Sequence, residues 1–140
     1  MSYYLAYGMN TNLSSMATRC PAAQSLGKIK LPDHKLSFKY FCDIESAVGQ
    51  EMECALWNIT ETCEKSLDVT EGYPDFYGKK EVDVTHNGRK IRAIIYYMTG
   101  RDQSAMPSES YLNMVTQGYR EHNINIIQLV TALEELTKCG

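Results

Sequence analysis

Glu71 stands in the stretch TEGYP (70–74), with Gly72, Tyr73 and Pro74 directly behind it. A carboxyl at the boundary of a regular element, flanked by aromatic rings, loses part of its hydration. Its pKa then rises toward neutrality, where one group can both take and give a proton. The same residues also fit an ordinary glutamate near a helix C-terminus, with Gly72 as its cap. A second candidate is the loop Tyr7, Gly8, Met9 and Asn10, where the apolar run Tyr3–Tyr7 stops at a glycine and amide-bearing residues follow. Glycine admits close backbone approach, and free N–H groups in such a loop attract an anion or a developing oxyanion. A plain strand end that needs Gly8 for its turn fits the same letters.

Other chemistries find little support. No histidine lies beside a turn bearing a nucleophile, so no Ser/His/Asp or Cys/His arrangement is suggested, and there is neither a P-loop nor a G-x-G-x-x-G. The five cysteines (Cys20, Cys42, Cys54, Cys63 and Cys139) form no C-x-x-C pair and read as reduced, mostly buried thiols of a cytosolic protein. A metal centre needs closer His/Cys grouping, so no metal and no cofactor are expected. The formal net charge is −3 and no basic stripe stands out, which argues against nucleic acid. No run approaches the ~18 apolar residues of a membrane helix. The opening MSYYLAYG has no basic leader and no cleavage site, so a cytoplasmic location is expected.

These candidates have to be held by regular elements. With 140 residues the chain suits one domain, residues 1–140, with one hydrophobic core. Tyr3–Tyr7 reads as a buried strand, and residues 12–18 as a short helix stopped by Pro21. Ser25–Leu31 and Leu36–Phe41 read as two strands parted by the turn letters PDH. Asp43–Glu51 reads as a polar loop, and Glu53–Ile59 as a further strand. Thr60 is placed to cap a helix over 61–69 with Cys63 and Leu67 on its apolar side. Asn87-Gly88, between two alternating runs, predicts a type I′ hairpin with Val82 and Val84 on one face and Ile91, Ala93, Ile95 and Tyr97 on one face of the return strand. Ser108 caps a predicted helix to about residue 121, with Tyr111, Val115 and Tyr119 inside. A second helix over 125–137 carries the stripe Ile126, Leu129, Val130, Leu133 and Leu136, read as core. Strands fill the first two-thirds of the chain and helices the last, so the fold class is α+β, a small mixed-strand β-barrel or strongly curved sheet flanked by helices.

The segments YLAYGMN, CDI, ALWNI, LDVTEGYPDFY, YYM and PSESYLNMVTQGYREHNI occur in this order. Taken together they resemble the gamma-glutamylcyclotransferase-like (AIG2-like) family, through nearly the whole chain. The resemblance implies a small mixed-strand barrel with flanking helices. It implies that Glu71 is catalytic, that Tyr7, Gly8, Met9 and Asn10 hold the glutamyl part of a substrate, with Tyr4, Leu5 and Ala6 leading into that loop, and that Tyr77 and Tyr111 line the same pocket. The implied reaction is cyclisation of a small gamma-glutamyl amide or amine to 5-oxoproline with release of the amine. The nucleophile then belongs to the substrate, which accounts for the missing triad and metal cluster. One departure is that the family's loop usually has serine where this chain has Met9. If only the backbone N–H of that position matters, methionine preserves the contact; if the hydroxyl binds substrate, the substrate differs. A family member that has lost catalysis and serves as a ligand-binding or interaction module, and an enzyme for a different amide or amine conjugate, are the alternatives. Segments 43–51 and 100–106 are candidate pocket walls, and the apolar C-terminal stripe suits either the interior or a homodimer.

Overall fold

The structure, a computed structural model, describes residues 2–99 and 103–138. A five-stranded sheet runs in the order β2-β3-β1-β5-β4. Its strands are β1 (Ser2–Ala6), β2 (Gln24–Lys39), β3 (Phe41–Ile59), β4 (Tyr77–His86) and β5 (Arg89–Met98). Helix α1 (Leu13–Arg19) follows β1, α2 (Glu61–Glu71) joins β3 to β4, and α3 (Glu109–Glu121) and α4 (Ile127–Lys138) come last. β1 pairs antiparallel with β3 and parallel with β5, so the sheet is mixed. Being central, β1 buries successive residues on both faces: Tyr4, Leu5 and Ala6 are all in the core. The edge strands β2 and β4 are not paired with each other. They nevertheless approach closely enough for Lys80 Nζ to lie 3.1 Å from His34 Nε2. The outcome is the strongly curved sheet, with no closed barrel.

Several elements follow the sequence reading. Asn87 and Gly88 both take positive φ, 51° and 77°, as a type I′ turn requires. Thr60 Oγ1 accepts from Cys63 N at 3.1 Å, and Ser108 Oγ from Tyr111 N at 3.2 Å, so both predicted caps form. Gly72 closes α2 at φ 67°, with Tyr73 N bonded to Asp68 O at 2.9 Å.

Four expectations are corrected. Segments 25–31 and 36–41 are one strand, which runs through an irregularity at Asp33 where the extra residues lie on β3: the register shifts from Pro32↔Glu51 to His34↔Ser46, Asp33 adopts φ 61°, and its carboxylate accepts from Gly49 N at 3.0 Å. Residues 43–51 are not a loop; they continue β3, pairing as far as Ser46↔His34 and resuming at Glu51↔Pro32. The six short strands reduce to five, two of them long. The thiols are also not all reduced: Cys20 and Cys63 form a disulfide, their Cα atoms 5.1 Å apart, because α1 and the first turn of α2 lie side by side. Cys42 and Cys54 are free and buried, and Cys139 lies outside the described residues. The C-terminal stripe is only partly core. Leu129 is buried and Leu133 and Leu136 pack half-buried against the core, whereas Ile126 and Val130 are 46% and 43% exposed. No described helix is long and apolar enough to cross a membrane.

Candidate functional site

A cavity of about 280 Å³ opens where the end of β1, the start of β3, the C-terminus of α2 and the first turn of α3 converge. Every residue singled out from the sequence lines it: Tyr7, Gly8, Met9, Asn10, Glu71, Tyr77 and Tyr111. Tyr4, which leads into the loop, lines it too, whereas Leu5 and Ala6 are buried in the core.

The loop after β1 is built by its own chemistry. Met9–Thr11 forms a single 3-10 turn, in which Gly8 O accepts both Thr11 N at 3.0 Å and Thr11 Oγ1 at 2.7 Å. Asn12 then caps α1 by accepting from Ser15 N at 3.1 Å. Among the described residues no acceptor meets the N–H groups of Met9 and Asn10. Gly8 is required by contact: a Cβ there would lie 2.9 Å from the Tyr111 hydroxyl and 3.1 Å from Cys42 Cβ. That hydroxyl in turn accepts from Cys42 N at 2.9 Å, fastening α3 to the start of β3. Tyr77 donates to Cys42 O at 3.2 Å and Tyr7 to Tyr96 O at 2.7 Å, so these phenols are anchored and present ring edges and faces to the cavity.

Glu71 ends α2, two residues later than the predicted helix end, and its side chain turns into the cavity. Burial raises its pKa to about 7, against an opposing pull from the Arg19 guanidinium. Asn10 Nδ2 lies 3.4 Å from Glu71 Oε1 and 3.0 Å from the Tyr4 hydroxyl, while Asn10 O accepts from Trp57 Nε1 at 3.0 Å. Burial drives the phenols of Tyr4, Tyr7, Tyr77 and Tyr111 above their ordinary value, so they remain neutral donors. The Cys42 thiol is pushed up to about 12 and stays protonated.

Sequence reasoning missed Arg19, Phe41, Cys42, Thr70, Phe76 and Tyr96, all of which line the cavity. Arg19 carries the only available signal, a cation in the last turn of a helix just after the loop. The others arrive through strand pairing or the turn after α2. Of the candidate walls, segment 43–51 is strand and supplies no lining residue, and residues 100–102 lie outside the described residues. A serine and a histidine do meet: Ser25 Oγ lies 2.8 Å from His122 Nε2. The ring's other nitrogen faces Gly118 O at 3.2 Å rather than a carboxylate, and Gly27 N also points at Ser25 Oγ at 3.3 Å, so the pair ties the β2 bulge to the end of α3. No group of three or more His, Cys, Asp or Glu able to hold a metal occurs among the described residues.

Comparison with solved structures finds the same architecture elsewhere. A gamma-glutamyl cyclotransferase is 27% identical, the alignment covering 97% of this chain and 86% of that one, with a TM-score of 0.81. The uncharacterized protein loc79017 from Homo sapiens is 28% identical over 97% of this chain and 86% of that one, with a TM-score of 0.80. YkqA from Bacillus subtilis, 17% identical over 97% of this chain and 54% of that one, shares the fold with a TM-score of 0.80. None of the curated proteins matches by sequence. The model of the AIG2-like family matches residues 51–126, a segment that contains Glu71, Tyr77 and Tyr111 and leaves out the Tyr7–Asn10 loop. With more than half its length matched, and with a mixed sheet and flanking helices shared with a gamma-glutamyl cyclotransferase, the chain belongs to the AIG2-like family.

Proposed function

We propose that this protein is a gamma-glutamylcyclotransferase-type enzyme that converts a small gamma-glutamyl amide or amine to 5-oxoproline and free amine. The observation that carries this reading is a partly buried carboxyl, Glu71, lining one small cavity together with the Tyr7–Asn10 loop, whose Met9 and Asn10 N–H groups meet no acceptor among the described residues.

The chemistry needs a base, an oxyanion site and a fold in the substrate. Glu71 as carboxylate takes a proton from the substrate's alpha-ammonium, and the freed amine attacks the gamma-carbonyl carbon. The carbonyl oxygen becomes an oxyanion, met by the N–H groups of Met9 and Asn10; such donors are worth roughly 3 kcal/mol each in known oxyanion holes. As the carbon–nitrogen bond to the leaving amine breaks, protonated Glu71 returns its proton to that nitrogen. The attacking nitrogen loses two protons in all and the leaving nitrogen gains two, so one carboxyl acting as shuttle balances the reaction. The walls of Tyr4, Tyr7, Tyr77 and Tyr111 hold the glutamyl chain bent for ring closure. Orientation of an intramolecular attack removes on the order of 7–11 kcal/mol of barrier, which makes it the largest contribution. Met9 keeps a backbone N–H at the position where the family usually has serine, so the oxyanion contact survives the exchange.

The test is incubation with gamma-glutamyl amino acids, gamma-glutamyl amines and glutathione, with 5-oxoproline as the measured product. Formation from one of these classes, abolished in Glu71→Gln, supports the reading. Absence of product from all three classes leaves the ligand-binding alternative in its place.

A further inference from the structure

We infer that Arg19 is a positioning residue for Glu71, acting through Asn10, whose side-chain amide it orients toward the carboxylate. The inference rests on the reading of Glu71 as the general acid and base. Arg19 ends α1, and its NH1 donates to Asn10 Oδ1. A guanidinium has donors and no acceptor, so this contact decides which end of the amide is oxygen. Nδ2 must then face the other way, where it meets the Tyr4 hydroxyl at 3.0 Å and Glu71 Oε1 at 3.4 Å. Asn10 is 3% exposed and its backbone carbonyl is held by Trp57, so the amide has little freedom apart from a flip, which Arg19 forbids.

The consequence is asymmetric. One carboxylate oxygen of Glu71 has a donor fixed beside it, and the other is left for the substrate's ammonium. Arg19 from α1 is the titratable group that acts on Glu71; the phenols facing the carboxylate, Tyr4 of β1, Tyr7 of the loop behind it and Tyr77 of β4, are themselves pushed up by it. The phenols are held neutral by burial, so Arg19 is the one charge among them. It opposes the desolvation of Glu71, and loss of the guanidinium therefore moves the carboxyl further up while freeing the amide.

The experiment compares the wild-type protein with Arg19→Met and Arg19→Lys. Two readouts are taken: the Glu71 carboxyl titration, by carbon-13 NMR with Glu71→Gln for assignment, and the pH profile of 5-oxoproline formation. Arg19→Met is expected to raise the Glu71 midpoint, moving the acid limb of kcat/KM with it and lowering the rate below the midpoint about tenfold for each pKa unit gained. Arg19→Lys restores a point charge without the rigid fork. It is expected to return the midpoint toward wild type while kcat stays reduced severalfold. A folded Arg19→Met protein with an unmoved Glu71 midpoint overturns the proposal, and so does an Arg19→Lys protein with wild-type kcat, which alone decides should Arg19→Met fail to fold. If no 5-oxoproline forms with any of the proteins, the cyclotransferase reading fails, and the titration still decides whether Arg19 governs Glu71.

Discussion

Tyr119 donates its hydroxyl to the carbonyl of Tyr7 at 2.7 Å, joining residues 112 positions apart. The same hydroxyl accepts from Gln128 Nε2 at 3.0 Å, so α3 and α4 together hold the last residue before the Gly8 loop. Nearby, Gly118 lets α3 press on that loop, since a Cβ there would lie 2.5 Å from Asn12 N. The loop that faces Glu71 is thus set from the far end of the chain.

Tyr119→Phe tests this clasp. It strands the buried Tyr7 carbonyl, costly to leave unpaired, and takes one bond from the half-buried Gln128 amide, which keeps its bond to Glu53 O; the protein should be destabilised by about 1–3 kcal/mol. Urea unfolding midpoints measure the loss. A rise in KM alongside it would show the loop loosening.

Gly8→Ala should leave the fold intact and damage the site. The added methyl competes with the Tyr111 hydroxyl for space, so the bond from Cys42 N lengthens and the phenol moves. Circular dichroism is expected to be unchanged while 5-oxoproline formation falls at least about tenfold, the consequence of displacing a positioning group.

Glu71 should make stability depend on pH in an uncommon direction for a carboxyl. Its folded pKa, about 7, lies above the ordinary 4.5, so the native state binds the extra proton between those values. Stability therefore falls as pH rises through this window and levels off above it. Glu71→Gln removes the effect: the two proteins should unfold alike at pH 4, and the variant should be the more stable at pH 8, by on the order of 3 kcal/mol. The same titration should give wild-type kcat/KM an acid limb with its midpoint near 7, set against a substrate whose own amine ionisation is accounted for.

The Cys20–Cys63 bond closes a long loop, with a sequence separation of 43. On the chain-entropy account such a cross-link stabilises by about 4 kcal/mol. Cys20→Ser/Cys63→Ser should therefore melt earlier than the oxidised protein and match the reduced one. Intact mass with and without reductant reports the bond directly.

What the sequence disclosed depended on how local each feature is. The 77–98 hairpin was legible because Asn87-Gly88 fixes its own turn, and α2 because Thr60 caps it within three residues. The upper half of the β2–β3 hairpin was not. Residues 47–51 are exposed or half-buried and carry no alternating apolar face, and the irregularity at Pro32–Asp33 imitates a turn. The tight turn at Tyr40, φ 70°, is braced by Tyr40 N bonding to Ala105 O at 3.1 Å, a partner no local pattern announces. Glu71 and the Tyr7–Asn10 loop stood out by residue type and context and gained weight from a resemblance in order and spacing, Tyr77 and Tyr111 came from that resemblance alone, and the fold does bring them to one cavity. Phe41, Cys42 and Tyr96 were out of reach because only tertiary pairing carries them there, while Arg19 offered one local signal, its place in the last turn of α1.

The position of β1 has a bearing on how the molecule comes into being. Of the five described strands it is made before the other four, and it is the middle strand of the finished sheet, paired on one side with Ile59–Ala55 and on the other with Ala93 and Ile94. During synthesis the β2–β3 hairpin can close early and take β1 along one edge, while the opposite edge stays open until residues 89–98 emerge. Until α3 follows, Tyr7 has no Tyr119 to hold it. The loop opposite Glu71 is therefore written early and set last, and a nascent chain halted before α3 would carry Glu71 and the Tyr7–Asn10 loop without Tyr111 and without the shape of the site.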